Sequence, residues 1–277
     1  MYPQTTRNGI KAHTIRLSPS ITLFADNDMS TFNRALPQGL QEKNVEVRIF
    51  TPKFGCINER RNQLHEVIRL SGMNVVIDDA DHPLLIKVAT LQPGRTQVYF
   101  VDNEDFFQRH SVPGLETDIY PAENDERTIF FTRSVIETVK KLRWVPAIIH
   151  CGGWISALVP MYLKKLYAND PAFDGSKIVF SLFNDRFEGD LDPRMVEKML
   201  PDGIKEEFFG SVLNNGKIDY IALCKLAIDY SDAVCKPFIR APKELIQYAK
   251  DSGKPYLTFY PKDKRIEKYY DFYKSLL

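Results

Sequence analysis

Paired cysteines, charge excess and long apolar runs are all missing from this chain, and each absence closes a class of function. The four cysteines, Cys56, Cys151, Cys224 and Cys235, lie far apart and form no Cys-x-x-Cys pair, which argues against a zinc site and against a disulfide framework. No apolar run approaches the roughly 20 residues that a bilayer span requires. Residues 1–11 are polar and carry no secretory leader, so a cytoplasmic location with reduced thiols is expected, without membrane contact. Lys and Arg (37) nearly balance Asp and Glu (36), leaving a net charge of +1. Such a balance gives no global attraction to nucleic acid, which is therefore not expected as a partner. The basic stretch Lys262 to Lys268 is interleaved with Asp263 and Glu267 and reads as a solvated helix face. His13, His65, His82 and His110 show no paired spacing, so no metal and no cofactor is assigned. Internal repeats and low-complexity segments are also lacking.

What is present is an ordinary globular composition, 44% hydrophobic and 26% charged over 277 residues, enough for a sizeable core. Strand signals fall at 12–18, 44–50, 75–77, 84–89, 97–102, 147–150, 178–183, 233–235 and 255–258, with helical patterns between most of them. The first strand, a helix near 28–43 and the strand at 44–50 make a βαβ unit. Between residues 75 and 102 no helix fits, so an antiparallel meander is expected there. The rest predicts a Rossmann-like doubly wound α/β sheet. Right-handed crossovers would gather the loops after residues 18, 102, 150 and 183 along one edge of it.

The peptide from Ile148 to Trp154 ends a buried strand and opens a helix, the place where ligands sit in open α/β sheets. His150 is placed to face that crevice, while Gly152 and Gly153 offer backbone only. Trp154 is either a stacking platform for a sugar ring or a core anchor for the following helix, and His150 either a ligand or a satisfied structural histidine. Asn184 and Glu188 on a neighbouring loop complete the set of candidate cleft residues. At the carboxyl end, positions 266, 269, 270, 273, 276 and 277 repeat with helical spacing and predict one buried stripe.

Four segments in order, Val98 to Phe107, Asp125 to Phe131, His150 to Leu158 and Val179 to Asn184, resemble VYFIDNxxYF, ERFAFFSRA, HxHDWHTAL and VFTxHNLAYQG of the bacterial and plant ADP-glucose type glycogen (starch) synthases. The resemblance covers residues from about 12 to about 245, with 217–234 similar to KxGIxYADxVTTVS. It implies the N-terminal half of a two-domain GT-B glycosyltransferase, which in this family transfers glucose from ADP-glucose to an α-1,4-glucan. On this reading residues 1–11 are a flexible leader, 12–254 the Rossmann domain, and 255–277 a strand and helix packing back on it. The terminal helix is then either a strap like the one that crosses back from the second domain or a generic cover.

Departures from the family pattern are as informative. Anchored on Ala35-Leu36-Pro37, the family's Lys-Thr-Gly-Gly-Leu loop falls on Ala25, Asp26, Asn27, Asp28 and Met29. The cation and the glycines that let a diphosphate approach backbone amides are replaced, with two carboxylates among the substitutes. Each such charge pair, at about 5 Å and an effective dielectric of about 20, is worth roughly 3 kcal/mol before screening. Alternatively, Asp26 or Asn27 caps the helix and fills the anion site from within. Gly152, Gly153 and Ile155 stand where the family has His, Asp and His, and Phe183 where a histidine contacts the sugar. Glycosyl transfer needs hydrogen bonds and charge around the sugar and leaving phosphate. The expectation is therefore a degenerate, non-catalytic homologue, a pseudoenzyme binding an α-glucan or a protein of glycogen metabolism, with a homodimer or hetero-complex covering the exposed face. The alternative is a glucosyltransferase subunit completed by a separate chain that carries the second domain.

Overall fold

The computed structural model describes residues 13–17, 28–92, 96–108, 123–213 and 216–277. The polar leader and Ala25, Asp26 and Asn27 lie outside the described residues, and Asp28 is the first residue of helix α1.

Strand β1 (His13–Leu17), helix α1 (Asp28–Glu42) and strand β2 (Glu46–Pro52) form the expected βαβ unit, with β1 parallel to β2. The chain then makes β3 (His65–Glu66), β4 (Met73–Ile77), β5 (Ala80–Leu91) and β6 (Thr96–Asp102). Here β4 and β3 pair antiparallel with β5, and β5 pairs antiparallel with β6. That is the predicted meander, lengthened by the two-residue β3, which is too short and too exposed to leave a periodic signal. Helix α2 (Asn124–Leu142) leads to β7 (Ile148–Gly152), α3 (Val159–Lys165), β8 (Lys177–Ser181), α4 (Met195–Met199), α5 (Tyr220–Tyr230), β9 (Ala233–Cys235), α6 (Lys243–Asp251), β10 (Tyr256–Leu257) and α7 (Lys262–Leu276). The sheet runs β10-β9-β8-β7-β1-β2-β6-β5-β3, and the neighbours from β10 to β6 are all parallel. The chain has the doubly wound, Rossmann-like architecture that the sequence predicts, with the meander on one edge.

Alternation along the strands places helices on both faces. Phe50, Tyr99, Val101, Ile149, Ile178 and Phe180 pack into one core, whereas Ile49, Val98, Phe100, Ile148 and Val179 pack into the other. The second core is closed by Phe32, Leu36 and Leu40 of α1 and by Tyr269 and Tyr273 of α7. Gly39 lets these two helices approach, since a Cβ there would lie 2.5 Å from Ile266 Cδ1. The α7 stripe is buried at Tyr269 and Tyr273, half-buried at Ile266, Tyr270 and Leu276, and exposed at Leu277. In the basic stretch Lys262, Lys264 and Lys268 are solvated as expected, but Arg265 turns inward. Helix α6 has Pro242 as its N-cap.

Two of the four family-like segments are scaffold. Asn103 Oδ1 accepts the N–H groups of Asp105 (2.9 Å) and Phe106 (3.1 Å), shaping the π-helical turn 104–108. Arg127 Nε donates to the Phe106 carbonyl at 2.9 Å, tying α2 to that turn. Asp125, fully buried, pairs with Lys198 Nζ at 2.8 Å, and Lys198 also meets Glu126 (2.6 Å) and Asp192 (2.8 Å), fastening α4 to α2.

Candidate functional site

Strand β7 runs two residues beyond its predicted end, so Gly152 belongs to the sheet and pairs with Ser181 of β8. Gly153 then turns with φ 77° and ψ 166°, a region that only glycine occupies without strain. A short 3-10 turn, Trp154–Ser156, follows. Its first N–H finds no side-chain cap on Gly153. The cap comes from the loop after β8, where Asp185 Oδ2 accepts the Trp154 N–H at 3.0 Å. The Tyr220 hydroxyl lies 2.9 Å from Asp185 Oδ1 and 3.0 Å from the Phe183 carbonyl, with one hydrogen to share between them. Burial, then the neighbouring Asp185 charge, pushes the Tyr220 hydroxyl far above its ordinary range, so it stays protonated. The loops after β7 and β8 therefore meet as expected; the loop after β1 lies outside the described residues.

His150 does not face an open crevice. It is 1% exposed, and its Nε2 lies 2.5 Å from Ser181 Oγ. Its Nδ1 is bonded to the Tyr273 hydroxyl of α7. The Tyr269 ring lies parallel to the imidazole at 6.1 Å, and Tyr273 meets it edge-on at 5.8 Å. Trp154 offers no free ring face either: it is 1% exposed, and Phe187 packs against it at 5.5 Å in a T-shaped contact. Its indole Nε1 has no hydrogen-bond partner among the described residues. Burial also pushes the thiols of Cys151 and Cys224 up, which leaves them un-ionised and poor nucleophiles.

Phe183 is buried and packs with Phe238 at 5.7 Å and Phe32 at 6.4 Å. Ile155 is buried as well. By contrast, Asn184 and Glu188 are exposed at the rim. The structure thus divides the four candidates, two inside the core and two on the surface. Cavities of about 590, 400 and 630 Å³ indent the molecule, and none of the four is among the described residues that line them. Among the described residues no cluster of three or more metal-binding side chains exists, and no helix is long and apolar enough to cross a membrane.

Sequence reasoning missed the roles of Asp185, Tyr220 and Ser181, and it read Tyr273 as part of a buried stripe but not as a partner of His150. Asp185 had a readable signal, a charge at the position where the resembling VFTxHNLAYQG segment carries leucine. The other three roles left none, because they depend on partners remote in the chain.

Residues 26–236 match the family model described as starch synthase catalytic domain. The chain belongs to the starch synthase catalytic domain family. Glycogen synthase of Chlorobium luteolum is 37% identical over 190 residues, 67% of this chain and 38% of that protein. Glycogen synthase of Chlorobaculum tepidum is 32% identical over 224 residues, 79% of this chain and 44% of that one. This starch synthase family member thus spans about two-fifths of the length of these curated relatives. The catalytic domain of starch synthase IV from Arabidopsis thaliana, solved with ADP and acarbose, superposes with a TM-score of 0.71 at 18% identity. That likeness covers 90% of this chain and 51% of that one, and it establishes the shared fold.

Proposed function

We propose that this starch synthase family domain is catalytically degenerate and serves as an α-glucan-binding or partner-binding module in storage-polysaccharide metabolism. The observation that carries the reading is Phe183. It stands where the family's histidine contacts the sugar, and it is buried in an aromatic cluster with Phe32 and Phe238. Retaining glycosyl transfer passes through an oxocarbenium-like state that needs hydrogen bonds and charge at the sugar and the leaving phosphate. A phenyl ring, the glycine pair Gly152-Gly153 and a histidine with both nitrogens engaged supply neither.

Asn184 and Glu188 are exposed polar groups at the rim, within reach of a glucan. Calorimetric titration with maltooligosaccharides, ADP and ADP-glucose tests the reading. Sugar binding that Asn184→Ala or Glu188→Ala weakens supports it, as do silent titrations with ADP and ADP-glucose. Micromolar ADP or ADP-glucose affinity that survives the Arg240→Gln, Lys262→Gln double substitution, or turnover by the chain alone, overturns it. Turnover restored by a separate chain carrying the second domain would favour the glucosyltransferase-subunit reading. A homodimer or hetero-complex is the expected assembly, and a monodisperse monomer in light scattering would count against the homodimer.

A further inference from the structure

The 590 Å³ cavity lies at the carboxyl edge of the parallel sheet, where α1, the loops after β9 and β10, and the first turns of α7 converge. This edge is where open α/β sheets take ligands, and the volume suits a small molecule. Its apolar walls include Phe32, Phe238, Phe259 and Ile239, the last 72% exposed at the lip. Among the described residues, the charged members of the lining are all cationic: Arg240, Lys262 and Arg265. For a chain of net charge +1 that is a strong local concentration of one sign.

Arg265 is accounted for by packing. Its guanidinium sits 5.4, 5.9 and 5.5 Å from the ring centres of Phe32, Phe238 and Phe259, and its Nε donates to the Tyr260 carbonyl at 3.1 Å. Arg240 and Lys262 have no such explanation. Both are exposed, and neither makes an ion pair or side-chain hydrogen bond among the described residues, whereas Lys43, Lys225 and Arg194 are each paired with a carboxylate. Lys262 also opens α7, a helix whose N-cap is Pro261 and which lacks a side-chain cap. The positive end of the helix dipole therefore adds to the lysine charge. Asp263 is the acid of that first turn and is not in the lining.

We infer that this cavity binds a phosphorylated ring compound, its phosphate held by Arg240, Lys262 and the start of α7, its ring against Phe238, Phe259 and Ile239. Two sources share that chemistry, a hexose phosphate and a nucleoside monophosphate. The cavity backs onto the Phe183 cluster through Phe32 and Phe238, but the groups that would hold the phosphate, Arg240 and Lys262, take no part in the proposed glucan or partner role, so the double variant below tests this inference separately.

The test is calorimetric titration of the full chain with nitrophenyl phosphate, a hexose phosphate, adenosine monophosphate and inorganic phosphate. At least one ring phosphate should bind more tightly than inorganic phosphate and weaken as salt rises, and whether the hexose or the nucleoside arm is tighter identifies the source. The double variant Arg240→Gln, Lys262→Gln should lose about ten-fold or more in affinity, since two charge-assisted contacts go. Both side chains are exposed, so the unfolding midpoint of the variant should match the parent. No ring phosphate bound at millimolar concentration, or an affinity unchanged in a folded double variant, overturns the inference.

Discussion

Asp185, in the loop after β8, caps the turn that Trp154 begins in the loop after β7, its Oδ2 accepting the Trp154 N–H at 3.0 Å. Gly153, immediately before Trp154, has no side chain for the task. The carboxylate that locks these loops together thus comes from a neighbouring strand end.

Asp185→Ala should destabilise the fold by about 2 kcal/mol, because the Trp154 N–H is left buried without an acceptor while Tyr220 keeps the Phe183 carbonyl. Asp185→Asn, which retains an acceptor oxygen, should cost less than about 1 kcal/mol. Urea unfolding of the two variants separates these outcomes. Equal losses would assign Asp185 to its charge rather than to the cap.

Tyr273→Phe removes the hydroxyl that meets His150 Nδ1 in the core and with it a buried hydrogen bond. A loss of about 1–3 kcal/mol is expected in thermal or chemical unfolding. Unchanged stability would mean that α7 is held by ring packing alone.

Gly153→Asp puts back the residue type that the resembling motif carries, yet at φ 77° and ψ 166° the substitution is strained. The expected cost is about 1–3 kcal/mol, with no turnover of ADP-glucose gained. A variant as stable as the parent, or active, would show that the loop readily adopts a second backbone path.

Lys198→Met leaves the buried carboxylate of Asp125 without its cation, and about 3–5 kcal/mol should be lost. Asp192→Asn tests the same cluster through pH. The hydrogen bond from Lys198 holds the Asp192 carboxyl below its ordinary value of 3.8. A depressed folded pKa contributes stability above 3.8 that disappears as pH falls through the folded value. Asp192→Asn should therefore be less stable than the parent at neutral pH, by about 1 kcal/mol or less for this partly exposed pair, with the gap closing in acid. Burial pushes Asp125 the opposite way, upward, so its charge offsets part of that stability. A gap independent of pH would remove the electrostatic account.

Much of the architecture was legible because its signals are local. The strand at 233–235 appeared where predicted, and the meander followed from strands too closely spaced for helices. The candidate site was less legible. Trp154 reads equally well as a sugar platform or a core anchor until Phe187 is placed against it. Arg265 sits in a stretch of alternating charge that reads as solvated, and only the return of α7 past Phe32 and Phe238 shows its guanidinium lodged among rings.

By itself the amino-acid order determined the α/β sheet, the meander and the family, since residue periods and the succession of motifs are written along the chain. Tertiary structure alone decided that His150 is shut in by Tyr273, 123 positions away, and that Trp154 takes its cap from Asp185, 31 positions on. Such contacts depend on how helices fold back across the sheet, and no local repeat encodes which distant side chain arrives there.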